Sequence, residues 1–150
     1  MEINYHIYMQ YLPIGGVEQP VWDLEEHFDG LVYAGCTGID DYGKPKNIYT
    51  ETFAETSELK VHTPSSLTRE NTDIVLSLYF VGANRSSVYH SFMDYISGHK
   101  LYLWDDVRNR KVAIIQIEET SISEEEFVGS VPNKLIAFKF KNIHGQSFAV

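Results

Sequence analysis

A change of hydrophobic period near residue 82 limits what this chain can fold into more than any other sequence feature. Residues 72–82 (TDIVLSLYFVG) place apolar residues in steps of two, which predicts a β-strand. Residues 86–97 then take a helical period, with Ser86 and Ser87 placed to cap the helix start and Gly98 placed to end it. The apolar stripe of this helix comprises Val88, Phe92, Tyr95 and Ile96. A helix of about three turns is not stable alone, so we expect it to pack on a sheet.

Strand patterns surround this strand–helix unit. They cover residues 3–12, 48–62, 100–104, 111–118 and 135–141. The polar segment 105–110 predicts a hairpin turn, and the acidic stretch 119–133 reads as a polar connection. The sequence therefore predicts a single domain over residues 1–150 of the mainly β (α+β) class. We expect a β-sandwich or partly closed barrel with one short helix packed on it near residues 86–97.

The stretch 13–48 carries most of the glycine and much of the proline, and it predicts a long excursion from the sheet. A short helical turn is expected at residues 22–28, where Asp23 lies near the helix start. A structureless loop of this length is unusual inside a compact domain. Either the stretch contains short strands, such as residues 31–33, or a partner orders it. We expect it to be among the most partner-dependent parts of the chain.

The charge balance limits the classes of partner. The chain has 21 acidic and 12 basic residues, for a net charge of −9, so phosphate repels its surface as a whole and nonspecific nucleic-acid binding is not expected. Local basic patches stay open from the charge alone, and no specific nucleic-acid binding is expected. The single cysteine, Cys36, excludes an internal disulfide and suits a reducing cytoplasm. No apolar run is long enough to span a membrane, and residues 1–5 do not resemble a signal peptide. The sequence thus predicts a cytoplasmic protein without a membrane partner.

No local pattern predicts a catalytic, cofactor-binding or metal-binding site. The six histidines form no zinc-binding pair. Cys36 lies between glycines, as in a nucleophile elbow, but no helix is predicted after Gly38, so we expect a loop cysteine in an apolar niche. The adjacent acids Asp40-Asp41, Asp105-Asp106 and 124–126 lack the ligand offsets of a calcium loop, and we expect them to be solvated turn residues.

Subunit contacts are the use that these polar and aromatic residues suit best. Arg108, Arg110 and Lys111 form a basic cluster at the predicted hairpin tip, and the acidic residues 124–126 of another copy are available to pair with it. Aromatic residues favour interfaces because they combine a large area with a polar tip. The candidate inter-subunit contacts are Trp22, Tyr33, Tyr42, Arg108, Arg110, Lys111, Glu124 and Glu125.

The order of these elements resembles that of a known group of proteins. A strand ending in Gly82 leads into a helix at 88–96, a hairpin built on 101–105 and 108–112 follows, and a last strand at 135–140 closes the unit. This order is similar to the β-sandwich-plus-helix core of bacteriophage tail proteins, namely tail-tube subunits and distal tail or adaptor proteins. The similarity covers residues 50–141, whereas the stretch 13–48 departs from a minimal tube fold.

The resemblance implies a function and a set of partners. The chain would be a non-enzymatic structural subunit of a phage or prophage tail (tube, adaptor or connector ring) that self-assembles into a ring, with six copies the expected number, and contacts neighbouring tail proteins. Edge strands or the 13–48 excursion would join neighbours by strand addition. DNA would pass through an acidic lumen without sticking. The protein would be cytoplasmic during assembly and then part of the virion tail.

Two other function classes stay open from the residues alone. A small β-sandwich binding module, for example for carbohydrate, could use exposed Trp22 and Trp104. A hydrolase could assemble its site from distant residues, joining Cys36 or a pair of acids to a histidine in a deep pocket. A ring-forming species favours the tail subunit, a monomer with an exposed aromatic platform favours the binding module, and a deep pocket favours the enzyme.

Overall fold

A large antiparallel sheet dominates the fold, which is taken from a computed structural model. The structure describes residues 5–46, 49–52, 59–62, 68–117, 121–128 and 131–150, with the backbone alone described for 49–52, 59–62, 121–128 and 131–133. Within these residues the chain is mainly β with two helices, which confirms the predicted α+β class.

The elements follow one another along the chain with short connections. The strands are β1 (Ile7–Tyr11), β2 (Val21–Asp23), β3 (Leu31–Thr37), β4 (Pro45–Lys46), β5 (Tyr49–Thr52), β6 (Leu59–His62), β7 (Thr68–Arg69), β8 (Thr72–Val81), β9 (Leu101–Asp105), β10 (Arg110–Ile115), β11 (Ser121–Val128), β12 (Val131–Asn142) and β13 (Phe148–Ala149). The helices are α1 (Leu24–His27) and α2 (Arg85–Ile96). The predicted hairpin is confirmed, since β9 and β10 pair directly.

The main sheet curls until its two edges approach each other. Its strand order in the described residues is β2-β1-β9-β10-β12-β8-β3, with β11 beside β12 and β13 beside β10. Six spacings of about 4.8 Å would make a flat sheet of this order about 29 Å wide. Residues 24–30, which include α1, connect edge strand β2 to edge strand β3 and can span roughly 20 Å at most. The sheet is therefore a partly closed barrel, with α1 across the gap.

Helix α2 packs on the sheet through the predicted stripe. Phe92, Tyr95 and Ile96 are buried, and Val88 is half-buried. Phe92 contacts Phe138 of β12 edge to face, with ring centroids 4.8 Å apart. Burying side chains of this size contributes about 1.5–3 kcal/mol each, which is what holds a helix of this length.

The two ends of α2 test the predicted caps. Gly98 has φ of +73°, as the predicted left-handed end requires. The predicted cap at Ser86 and Ser87 is wrong, because the helix begins earlier. Asn84 is the N-cap without a side-chain hydrogen bond, and the amide of Val88 donates to its carbonyl at 3.0 Å.

The stretch 13–46 is part of the sheet rather than an excursion from it. It contains β2, α1, β3 and β4, so the alternative of short strands is confirmed, as is the helical turn, which Asp23 caps by accepting from the amide of Glu25. Its core residues are Leu24, Phe28, Leu31, Cys36 and Ile39. Its own apolar residues pack in the core, and its dependence on a partner stays a prediction; residues 47–48 lie outside the described residues.

The acidic stretch 119–133 was expected to be a connection, and this is wrong for most of it. Strand β11 pairs with β12, and the register sets Glu125 opposite Lys134. Three consecutive glutamates hide the period of two that would predict a strand. Opposite charges at paired positions favour the pairing that the sequence pattern conceals.

Strands β4 to β7 lie outside the main sheet. Strand β5 pairs with β6 from Tyr49 opposite His62 to Thr52 opposite Leu59, and β4 pairs with β7 nearer the main sheet. We call β5 and β6 the ribbon, since they form a two-stranded sheet of their own. Among the described residues, neither helix has the length and apolarity needed to cross a membrane.

Candidate functional site

A groove of about 560 Å³ lies between α2 and the segment formed by β1, β2 and α1. Helix α2 forms one wall, and the end of β1, the middle of β2 and the end of α1 form the other. The lining residues are Tyr11, Trp22, His27, Phe28, Asp29, Ser87, Val88, Ser91, Asp94 and Tyr95. The groove thus combines aromatic rings with two carboxylates and with the hydroxyls of two serines and two tyrosines.

Stacked rings organise one wall of the groove. Trp22 stacks against His27, with ring centroids 3.4 Å apart, and against Tyr95, with centroids 4.1 Å apart. Tyr95 then contacts Tyr11 at 4.7 Å, and Tyr11 contacts His99 at 4.6 Å. The faces of Trp22 are covered by its neighbours, so this residue offers no open platform for a sugar ring. His27 is exposed and ends the stack.

Tyr95 is a buried residue of the groove, and its backbone carbonyl is hydrogen-bonded. It is 6% exposed, and its carbonyl accepts a 2.6 Å hydrogen bond from the Tyr11 hydroxyl. Burial raises the pKa of Tyr95, so the phenol stays protonated. No described residue is a hydrogen-bond partner of its own hydroxyl, which is buried. A buried polar group without a partner is unfavourable.

A polar stripe on α2 supplies the opposite wall. Ser87, Ser91 and Asp94 stand at helical spacing beside the apolar stripe and line the groove. The sequence analysis named Trp22 but missed this stripe and Asp29. The recurrence of polar residues at i, i+4 and i+7 was the available signal, although a solvated helix face gives the same pattern.

A buried ion pair ties β9 to β3 across the gap in the barrel. Asp105 is fully buried and accepts from Arg108 twice, at 2.8 Å from the backbone amide and 2.7 Å from Nη1. The Tyr33 hydroxyl donates to the same carboxylate at 3.3 Å, and Arg108 also pairs with Asp40. Two predicted contact residues, Arg108 and Tyr33, thus hold the chain to itself, and any inter-subunit use of Arg108 has to compete with Asp105.

Side chains and a loop carbonyl occupy the outer edge of β3. The amide of Tyr33 donates to Glu25 at 2.9 Å, and Arg108 Nη2 donates to the carbonyl of Cys36 at 3.2 Å. The amide of Leu31 donates to the carbonyl of Phe28 at 3.2 Å. The amides of Leu31 and Tyr33 and the carbonyl of Cys36 are thereby already bonded, and such bonds protect an edge strand from the addition of a further strand.

Cys36 lies in strand β3 rather than in the expected loop. Its side chain is buried, and burial raises its pKa to about 12, although the charge of Arg108 acts in the opposite direction. A thiol with this pKa is protonated at neutral pH and is a poor nucleophile. The expected apolar niche is confirmed by the position of Cys36 in the hydrophobic core.

Tyr42 contacts Arg69, which lines a smaller cavity of about 270 Å³. It is 59% exposed, and the guanidinium of Arg69 lies 5.0 Å from its ring centre. The cavity is lined by Lys46, Thr68, Arg69, Ile143, His144 and Gln146. Tyr42 is therefore available for a contact, as predicted, although no partner is present to test it.

Arg110 and Lys111, two further predicted contact residues, contact different groups of their own chain. Arg110 donates to the side chain and the carbonyl of Ser147, at 3.0 and 2.8 Å. Lys111 lies over the rings of Tyr102 and Trp104, at 4.3 and 5.5 Å from their centres. Trp104, the other proposed sugar platform, is half-buried and stacks on Tyr8.

Glu124 and Glu125 lie in β11, where the backbone alone is described. Their pairing with the basic cluster of another copy stays a prediction. Among the described residues, no three histidine, cysteine or acidic side chains are grouped to hold a metal ion. A comparison of the sequence with known protein families found no match, and a comparison with curated proteins found none either.

Proposed function

We propose that the protein is a non-enzymatic structural subunit that acts through self-assembly, of the phage or prophage tail type that the sequence resembles. The ribbon is the observation that carries this proposal. It forms a two-stranded sheet separate from the main one, and each of its strands keeps one edge outside the β5–β6 pairing.

A two-stranded ribbon is marginally stable in water unless something completes it. Its register pairs Thr50 with Val61 and Thr52 with Leu59. A neighbouring copy that adds a strand beside β5 or β6 would supply further backbone pairing. In a ring, each copy can offer its ribbon to the next, which is a heterologous contact that closes.

The edges that β2 and β3 form in the main sheet suit this role less well than the ribbon does, whereas β11, which pairs with β12 alone among the described strands, offers a further eight-residue edge. Side chains and a loop carbonyl already bond to the outer edge of β3, and β2 offers three residues. The proposal therefore moves the joining element from the predicted 13–48 stretch to the ribbon. The net charge of −9 is compatible with a lumen through which DNA slides.

The alternatives receive less support from the described residues. Burial keeps the Cys36 thiol protonated, which is unfavourable for a cysteine hydrolase. Trp22 is stacked on both its neighbours and Trp104 is half-buried, which is unfavourable for a sugar platform.

Sedimentation velocity with negative-stain imaging tests the proposal, over concentrations from micromolar to the solubility limit. We expect a large species, seen as rings, for the wild type and its loss in Val61→Lys, because a lysine in an edge strand opposes strand addition. The matched control is Val32→Lys, since Val32 is 44% exposed on the already capped strand β3. Both variants should melt like the wild type. A wild-type chain that stays monomeric throughout, or equal loss of the large species in both variants, would overturn the proposal.

A further inference from the structure

We propose that the groove between α2 and the β1–β2–α1 segment binds the guanidinium group of an arginine in a partner protein. The groove and the ribbon are built from different elements, so this inference does not depend on self-assembly.

Charge gives the first argument. Asp29 and Asp94 stand on opposite walls of the groove, and none of the described residues lining it is a lysine or an arginine. The whole chain is acidic, with a net charge of −9, so the long-range field also favours a cationic partner. A ligand with a positive charge therefore fits the groove better than a neutral or an anionic one.

Shape distinguishes a guanidinium from an ammonium group. The rings of His27, Trp22 and Tyr95 lie nearly parallel, at 19° and 8° to one another in successive pairs. His27 is exposed at the end of this stack, so a planar cation can continue the stack on its outer face. A guanidinium also pairs with a carboxylate through two parallel hydrogen bonds, which an ammonium cannot do.

The remaining polar groups of the groove match the same ligand. The hydroxyls of Ser87 and Ser91 can accept hydrogen bonds from guanidinium N–H groups. A sugar would instead need an open ring face, and the neighbouring rings cover those of Trp22.

The source of the arginine is a different protein rather than a second copy of this chain. All four arginines of the sequence already bond within it. Arg69 donates to the carbonyl of Gly43, Arg85 to that of Gly82, Arg108 to Asp105 and Arg110 to Ser147. A second copy therefore offers only arginines that already have partners within their own chain.

A titration with small probes tests the inference, with binding followed by NMR at the indole N–H of Trp22 in the Trp104→Phe variant. N-acetyl-argininamide should bind with a dissociation constant of millimolar order, as expected for so small a ligand. N-acetyl-citrullinamide, its neutral isostere, should leave the signal unchanged, and N-acetyl-lysinamide should bind several-fold more weakly. Added salt should weaken the binding of the arginine probe, since the attraction is electrostatic.

Substitutions assign the binding to the groove. Asp29→Asn and Asp94→Asn should each raise the dissociation constant of the arginine probe by about tenfold, because each removes a charge-assisted hydrogen bond. Asp41→Asn is the matched control, as Asp41 is exposed and does not line the groove. Equal binding of the arginine and citrulline probes, no binding up to tens of millimolar, or an effect of Asp41→Asn equal to that of the groove variants would overturn the inference. Each of these results can be obtained on a monomer. A failure of arginine binding is therefore distinguishable from a failure of self-assembly.

Discussion

The main sheet and the ribbon are both antiparallel β-structure, yet they differ in what completes them. Every strand of the main sheet packs on a common core or pairs with strands that do. Across the gap, Tyr33 of β3 donates to Asp105, and Arg108 donates to the carbonyl of Cys36 in β3. The ribbon pairs β5 with β6 in a sheet of its own. This contrast supports the proposal that the main sheet is stable by itself and that a neighbouring copy completes the ribbon.

The two regions also treat their free edges differently. On β3, Glu25, Arg108 and the carbonyl of Phe28 already bond to the backbone groups that an added strand would use. Such protection is how natural sheets avoid edge-to-edge association. We therefore propose that the main sheet provides the stability of the chain and that the ribbon provides its assembly. The experiments below distinguish an effect on stability from an effect on assembly.

The largest effect is expected in the core beneath α2. Phe92→Ala removes a fully buried ring that contacts Phe28, Phe80 and Phe138, and it should lower the free energy of unfolding by roughly 3–5 kcal/mol. Denaturant unfolding measures this change. Val32→Ala in β3 is the comparison, because Val32 is 44% exposed, and it should cost less than about 0.5 kcal/mol in the monomer. A loss at Val32 as large as that at Phe92 would mean that burial in the core does not set the cost of these substitutions.

A smaller effect is expected at the ion pair that ties β9 to β3. Arg108→Ala leaves the fully buried Asp105 without its charged partner and should lower the free energy of unfolding by roughly 2–4 kcal/mol. Arg110→Ala loses hydrogen bonds to Ser147 and should cost about 1 kcal/mol. Denaturant unfolding and sedimentation are measured on the same samples. An Arg108→Ala protein of wild-type stability that no longer assembles would make Arg108 an inter-subunit residue, as the sequence first indicated.

The smallest effect is expected from the thiol of Cys36 at alkaline pH. Its pKa is raised from 9.0 to about 12 by burial, so folding favours the protonated thiol. The resulting stability is complete below pH 9 and is lost as the pH rises from about 9 to about 12. Between pH 8 and pH 10 the loss should be about 1 kcal/mol. Cys36→Ala should reduce the fall in stability over this range; identical pH profiles of the two proteins would show that the thiol is not protected.

The sequence predicted those parts of the fold that depend on local periodicity. The strand at 72–81, helix α2 with its stripe, the Gly98 end and the β9–β10 hairpin follow from patterns within a few residues. Strand β11 was missed because its glutamates interrupt the alternation of polar and apolar residues. The place of 13–46 in the core was missed because it depends on β3 pairing with β8, which lies about forty residues further along.

The candidate site was less accessible from the sequence than the fold. Trp22 was named for its exposure, but its role comes from stacking between His27 and Tyr95, whose positions depend on two different elements. Arg108 was named as a basic residue at a hairpin tip, and that tip lies against β3 because the sheet curls. Contacts between residues distant in sequence leave no local pattern to read.

Hydrogen exchange of backbone amides tests the central claim most directly. The protein is compared at a dilution where it is monomeric and at a concentration where it assembles. The account predicts that amides of Tyr49–Thr52 and Leu59–His62 exchange more slowly on assembly, since a neighbour completes the ribbon, while those of Leu31–Thr37 exchange at unchanged rates. Slower exchange in Leu31–Thr37 with no change in the ribbon would contradict the account.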